Sequence, residues 1–369
     1  MIIMAFGRAA HWSGIALDIS EEKTKLIAGN GAARIMKTTA ELAIATARDE
    51  APIAPIRDVE FLAMPVRQIL NRCTSPRMHF RWTINPYRGC EFGCVYCYAR
   101  YTHEFLELRD PMDFERRIFV KLKAAEVLAR TLAKTPLGKD QIALGTATDP
   151  YQPAERKFEL TRGMLRVFSS VGGLDLSITT KSALILRDLD LLTAINRRSR
   201  LSVNFSLITV NRKLQRMLEP RAPRPALRLR ALAQLSAAGI RCHLLMMPMI
   251  PGLTDDPSAI ESVIRAGRRA GAAAIWWRSL FLKPAAARRF IPFIRANYPG
   301  AAERINLFYE RATYAPIAYD EHLRAIFDRL RRKYGYDPDA IRGDTMNEGR
   351  ESPPNKTSPP EQLSLIANR

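Results

Sequence analysis

Cysteine is scarce in this 369-residue chain, and acidic residues are outnumbered. The five cysteines, Cys73, Cys90, Cys94, Cys97 and Cys242, form an odd, sparse set, which argues against a secreted disulfide framework. No uninterrupted apolar run approaches the ~20 residues that a membrane span needs. The short apolar stretch Met1–Phe6 has no positive charge before it and lacks the length and cleavage site of a signal peptide. The expected compartment is therefore a reducing cytoplasm, without membrane attachment. Only 19 Gly accompany 24 Pro, which excludes collagen-like repetition, and a 47% hydrophobic content excludes wholesale disorder. Asp and Glu total 37 against 57 Lys and Arg, a net charge of +20. Such an excess favours an anionic partner, nucleic acid or a phosphorylated ligand, although an Arg-rich composition also follows from a GC-rich genome.

The two ends read differently from the middle. Residues 1–55 show no sustained periodicity and close on Ala51-Pro52-Ile53-Ala54-Pro55; they are expected to be a weakly ordered extension with a helix over Thr38–Arg48. Residues 343–369 are polar and Pro-rich (Ser352-Pro353-Pro354, Ser358-Pro359-Pro360), the composition of a solvated tail. Between them, over residues 56–342, apolar runs alternate with helical patterns. The runs Phe80–Pro86, Gln141–Ala147, Leu174–Thr180, Leu201–Ile208, Ile240–Met247 and Ala274–Leu280 are predicted strands. Phe158–Ser170, Leu184–Asn196, Pro225–Ala238, Ser258–Ala270, Pro284–Asn297 and Asp320–Tyr334 repeat apolar residues at helical spacing. Strands alternating with helices indicate an α/β fold with a parallel sheet and helices outside it. Periodicity leaves open whether the sheet is doubly wound or a partial barrel. In both, ligands gather at the carboxyl ends of the strands.

Chemistry concentrates just after the first predicted strand, in Asn85-Pro86-Tyr87-Arg88-Gly89-Cys90-Glu91-Phe92-Gly93-Cys94-Val95-Tyr96-Cys97-Tyr98-Ala99-Arg100. The spacing is C-x3-C-x2-C, and Gly89 and Gly93 let the backbone wrap tightly. Three thiolates can hold three irons of a cubane cluster and leave the fourth open to a ligand. Two plainer readings compete: three merely buried thiols, or a zinc site with His103 as fourth ligand.

This loop resembles the radical S-adenosylmethionine (SAM) superfamily, and the longer string around it resembles the spore photoproduct lyase-like branch, often labelled DNA repair photolyase. The likeness runs from Val59 to Tyr334 and includes Thr148-Asp149-Pro150-Tyr151-Gln152-Pro153-Ala154-Glu155, Thr179-Thr180-Lys181-Ser182 and Met249-Ile250-Pro251-Gly252-Leu253-Thr254-Asp255. It implies a partial (β/α)6 barrel and a 4Fe–4S cluster on Cys90, Cys94 and Cys97. It further implies that SAM chelates the open iron, is cleaved by one electron, and yields a 5′-deoxyadenosyl radical that takes hydrogen from a substrate. Thr146, Thr148, Lys181, Ser206 and Tyr96 fall where such enzymes contact SAM. An external electron donor, a flavodoxin or ferredoxin, goes with that chemistry, and the branch points to a nucleic-acid substrate carrying a lesion.

Other positions carry double readings. Asp149, Tyr151, Gln152 and Glu155 make a polar constellation for positioning substrate or SAM, or for solvation. One of Trp276 and Trp277 must pack under helices while the other faces inward, to stack a base or fill core. Met246, Met247 and Met249 read as core filling. Residues 211–241 hold eight Arg or Lys against Glu219 alone, a solvated face or a phosphate-binding surface. Spore photoproduct lyase carries a hydrogen-donating cysteine near the end of strand two, and Leu144-Gly145-Thr146-Ala147-Thr148 has none. That leaves Cys242, or upstream Cys73, to be a donor or an inert buried thiol. No second cysteine cluster exists for auxiliary centres. In the tail, Gln362-Leu363-Ser364-Leu365-Ile366 resembles a bacterial sliding-clamp-binding pentapeptide. Two alternatives stand beside the nucleic-acid-directed enzyme: radical modification of another substrate, and a noncatalytic zinc-binding nucleic-acid module.

Overall fold

The computed structural model describes residues 59–75, 78–135 and 137–336. The chain divides between Met36 and Lys37, and every described residue belongs to the second unit. The expected extension (1–55), its helix, the tail (343–369) and Gln362–Ile366 lie outside the described residues.

The described strands are β1 (Glu60–Ala63), β2 (Asn71–Arg72), β3 (Trp82–Ile84), β4 (Tyr87–Arg88), β5 (Arg117–Val120), β6 (Gln141–Leu144), β7 (Asp175–Thr180), β8 (Arg200–Ser206), β9 (Arg241–Met249) and β10 (Ala274–Ser279). The larger sheet runs β10-β9-β8-β7-β6-β3-β2. Its strands from β3 to β10 are all parallel, and these are the six predicted strands in chain order. Only β2 runs antiparallel, on the outer edge. A second sheet, β1-β5-β4, was not legible in the sequence.

Between and after the strands lie α1 (Ala124–Lys134), α2 (Leu160–Ser170), α3 (Leu189–Arg198), α4 (Pro225–Ala237), α5 (Pro257–Arg269), α6 (Pro284–Asn297), α7 (Pro299–Tyr309) and α8 (Ile317–Lys333). Pro at the first helical position starts α4, α5 and α6, where its missing N–H is harmless. Asp256 caps α5 by accepting from Ser258 N and Ala259 N at 2.9 and 3.0 Å. The helix expected over Phe158–Ser170 is interrupted at Glu159, whose left-handed backbone (φ 49°) separates Glu155–Phe158 from α2. Likewise Ala183–Asp188 tightens into a 3-10 turn before α3. In its place the Asp188 carboxylate is held by Arg162 and Arg187.

Strand alternation sorts the sheet into two unlike faces. Leu176, Ile178, Val203, Phe205, Leu244, Met246 and Ile275 face the helices and are fully buried, each worth roughly 1.5–3 kcal/mol of apolar transfer. Trp277 belongs to that face and stacks on Phe327 of α8 at 5.0 Å, which leaves Trp276 on the other. The opposite face holds Ser177, Thr179, Asn204, His243, Leu245, Met247 and Trp276. Toward the carboxyl ends it is only half-buried at Thr179, Asn204, Leu245, Met247 and Trp276. Met246 and Met249 fill core as expected, whereas Met247 lines this second face. Residues just past the last strand reach the segment that follows the cysteine loop. Phe281, just past β10, approaches Tyr98 at 6.1 Å, and Lys283 Nζ lies 3.9 Å over the Tyr101 ring. The half-buried face is thus the lumen of a partial barrel.

Candidate active site

Asn85 follows β3 and ties the first two barrel strands together at their carboxyl ends. Its Oδ1 accepts from Ala147 N at 2.8 Å, and its Nδ2 donates to Thr146 Oγ1 at 3.1 Å. From Asn85 the chain enters the cysteine loop. Gly89 (φ +87°) and Gly93 (φ +62°) shape it. A Cβ on Gly89 would lie 2.7 Å from the Arg117 carbonyl and 2.9 Å from that of Phe114, so only glycine fits there. Buried Arg100 clamps the loop from inside, donating to the Cys94 carbonyl at 2.9 Å and pairing with Glu115 at 3.1 Å.

Cys90 and Cys94 are buried and Cys97 is half-buried. Burial pushes the Cys90 thiol well up, as do Asp149 and Cys94, while the backbone N–H groups of Phe92 and Asp149 favour its thiolate. Burial pushes Cys94 up to about 12, with Lys181 opposing and Cys97 adding to the rise. The three thiols therefore feel one another in sequence. Lys181, after β7, is the nearest compensating charge. Burial disfavours its cation, but Cys94 and Glu219 outweigh that and raise its pKa.

Beneath the loop lies a buried ionic group that the sequence reading missed. Glu219 and Arg228 are both 0% exposed and form an ion pair. The Tyr96 hydroxyl donates to Glu219, and Arg228 also donates to the Ser206 carbonyl at 2.9 Å. The same group joins Tyr96, between the second and third cysteines, to the end of β8. A lone Glu in the Arg-rich stretch was the available signal.

The remaining predicted positions separate. Thr146 is half-buried at the barrel mouth, its carbonyl accepting from Tyr98 OH. Ser206 lies on the lumen side of β8 by alternation, in register with Leu245. Thr148 is a correction: its hydroxyl turns inward toward the Tyr87 carbonyl at 3.5 Å and its residue is buried, so it braces the loop. Asp149, Tyr151, Gln152 and Glu155 are also chiefly braces. Asp149 accepts from Thr180 Oγ1 and Lys181 N, both at 2.7 Å. Gln152 bridges Glu91 N at 2.9 Å and the Gly89 carbonyl at 3.1 Å. Glu155 takes the Tyr87 hydroxyl at 2.5 Å and Arg187 at 2.8 Å. These contacts dock the loop after β6 onto the cysteine loop.

Cys242 is corrected too. It is the second residue of β9, at the end remote from the cysteines, in register with Val203 on the helix-facing side. Burial pushes its thiol up to about 12, and it is an inert core thiol. His103 offers nothing to the cysteines: its Nε2 lies 3.0 Å from the Arg117 carbonyl, and its ring sits edge-on to Phe114 and Phe119 at 5.2 and 5.5 Å. Among the described residues no three His, Cys, Asp or Glu side chains gather as they would around one metal ion. The fourth ligand that the zinc reading called for is therefore engaged elsewhere. The Arg-rich stretch is not one face, since Arg228 is buried in its pair and Arg221 donates to the Glu91 carbonyl.

Fold and site together define a partial-barrel enzyme with a cysteine loop at the carboxyl ends of its strands. Residues 84–262 match the Radical SAM superfamily. An uncharacterized protein of Mycobacterium tuberculosis is 35% identical over 277 residues, 75% of this chain and 81% of that relative. An uncharacterized protein of Methanocaldococcus jannaschii is 28% identical over 248 residues, 67% and 87% of the two chains. A solved structure of spore photoproduct lyase, with bound SAM and dinucleoside spore photoproduct, shares the fold. It aligns with TM-score 0.55 at 13% identity and covers 84% of this chain and 85% of that one. The chain belongs to the radical SAM superfamily.

Membership implies a 4Fe–4S cluster and SAM, and the loop fits that pair. Its donors are three soft thiols spread over eight residues, as a multi-iron cluster needs, since each iron takes its own thiolate. Backbone N–H groups already point at the Cys90 sulfur, and a cation stands beside Cys94. No described helix is long and apolar enough to cross a membrane.

Proposed function

We propose that Cys90, Cys94 and Cys97 ligate a 4Fe–4S cluster at the mouth of the barrel, and that the adjoining lumen takes SAM and a nucleic-acid substrate bearing a lesion. The observation that carries this is the unlike burial of the two sheet faces. The helix-facing side is fully buried at Leu176, Val203, Leu244 and Ile275, while the lumen face is half-buried toward the carboxyl ends of its strands at Thr179, Asn204, Leu245, Met247 and Trp276. When bound, cluster and SAM supply reductive cleavage and hydrogen abstraction.

The chain's own residues supply the setting. The Lys181 ammonium complements the SAM carboxylate, and the Thr146 backbone and the Ser206 hydroxyl offer hydrogen bonds from the ends of β6 and β8, on either side of β7. Tyr96 offers its backbone, because its side chain is committed to Glu219. Tyr98, Phe281 and Tyr314 pack ring to ring at 6.1 and 4.8 Å between the segment past β10 and the cysteine loop. Nucleic acid is supported by the +20 charge, by Trp276 on the lumen face, and by the dinucleoside in the structurally similar lyase. A flavodoxin or ferredoxin would deliver the electron, and Gln362–Ile366 would recruit the chain to a sliding clamp.

Anaerobic protein given reductant and SAM, with intact or ultraviolet-damaged DNA, tests the reading. Damaged DNA should raise 5′-deoxyadenosine release several-fold over intact DNA. Release that no nucleic acid stimulates would keep the radical class and reject the substrate.

A further inference from the structure

A pair of cations, Arg88 and Lys121, stands at the rim of the mouth. Arg88 is the second residue of β4 and pairs in register with Phe119 of β5, as Tyr87 pairs with Val120. Tyr87 and Val120 share one buried cluster with Phe61 and Ile118. Alternation therefore puts Arg88, Phe119 and Lys121 on the opposite face. Lys121 N bonds the Pro86 carbonyl at 3.3 Å, which makes Lys121 the diagonal cross-strand neighbour of Arg88.

Neither cation has a carboxylate partner among the described residues. The Lys121 ammonium donates to the Asn85 carbonyl at 2.8 Å, and the Arg88 guanidinium makes no hydrogen bond or ion pair with any described residue. Burial and the charge of Arg88 bring the Lys121 pKa down to about 7. Holding two such charges together half-buried is unfavourable, and a bound anion would relieve it and keep both protonated. Cys94 is not that anion, because the cations acting on it are Lys181 and Arg228. The place is also suited to a ligand. Asn85 links Lys121 directly to Thr146 and Ala147 at the mouth. Tyr101, within electrostatic reach of Arg88, carries Lys283 on its ring as a third cation.

We propose that Arg88 and Lys121 form a phosphate-binding site at the rim, which holds one phosphate of the substrate while its reacting carbon lies in the lumen. The guanidinium supplies a planar fork for two phosphate oxygens, and the ammonium a point charge from the side. This rests on the lumen being the substrate site. It adds a requirement, namely that the substrate carry a phosphate, either an internal phosphodiester or a terminal one.

Calorimetric titration of the reconstituted protein at low salt decides it, with inorganic phosphate, thymidine 5′-monophosphate and the dinucleotide thymidylyl-thymidine as probes. Wild type should bind saturably. Lys121→Met and Arg88→Gln should each weaken binding about tenfold or more, Lys121→Arg should restore it, and Arg265→Gln on exposed α5 should change nothing. Tighter binding of the dinucleotide supports an internal phosphodiester, and of the mononucleotide a terminal phosphate. Arg88 lies two residues from Cys90, so Lys121→Met, with unchanged iron content, is the deciding variant. Equal phosphate affinity in wild type and Lys121→Met, or no saturable binding of any probe, overturns the site. Binding is read without turnover. Loss of this site with SAM cleavage intact, or the reverse, therefore separates it from the catalytic reading.

Discussion

Glu219 illustrates how one carboxylate can hold a reactive loop in place. Burial works against its charge, yet Arg228 and Lys181 outweigh the loss and hold its pKa below the usual carboxylate range. Removing the carboxylate leaves the Arg228 guanidinium buried without a counter-charge. Glu219→Leu should therefore cost about 3–5 kcal/mol in urea unfolding, and the double variant with Arg228→Met should recover most of it. His103 makes a second prediction at this scale. Burial lowers its pKa to about 4, below the ~6.5 of an unfolded histidine. Between those values the unfolded chain binds more protons, so stability is full above about pH 6.5 and falls as the pH drops toward 4. Urea midpoints of wild type should show that slope, and His103→Gln should flatten it. At this scale the spacing of the three cysteines and the places of Lys181 and Ser206 at the ends of β7 and β8 were legible, because strand ends and loops mark them; their roles belong to the proposal. Thr148 differs because nothing in a sequence says which way a hydroxyl turns, and of the two readings of Cys242, at the start of its strand, the structure favours the buried thiol.

The cysteine loop, as an element, is held by glycine geometry on one side and by the loop after β6 on the other. Gly89→Ala must place a methyl group against two carbonyls in a left-handed backbone, a strain of about 1–3 kcal/mol. It should lower the unfolding midpoint and cut iron incorporation on reconstitution, whereas Gly138→Ala, where a Cβ meets nothing within 4 Å, should retain full iron. Helices with proline at the start and apolar residues every three or four positions were read closely, and Pro284–Asn297 agreed end to end. The small sheet β1-β5-β4 escaped because strands of four, four and two residues carry no usable alternation. The short helix Arg212–Leu218 escaped because it opens with charged residues and is set by the Asn211 cap. Residues whose partners are far along the chain, such as Gln152 on Gly89, show only a polar loop to a reader of the sequence.

For the molecule as a whole, strands that alternate with helices and pair in chain order were enough to establish the parallel α/β sheet. Closure into a barrel was not legible from periodicity and came from family resemblance. The contacts that bring the two ends of the sheet toward each other, Tyr98 with Phe281 and Tyr101 with Lys283, join residues far apart in sequence. Net charge likewise pointed to an anionic partner but not to a place, because arginines adjacent in the chain divide between core and surface. The most direct test of the whole is anaerobic reconstitution of wild type and of the Cys90→Ala/Cys94→Ala/Cys97→Ala variant, each then reduced in the presence of SAM. Wild type should hold about four iron and four sulfide per chain and release 5′-deoxyadenosine, and the triple variant should do neither. Equal iron loading and equal nucleoside release by the two proteins would contradict the assignment of these cysteines and of the chemistry built on them.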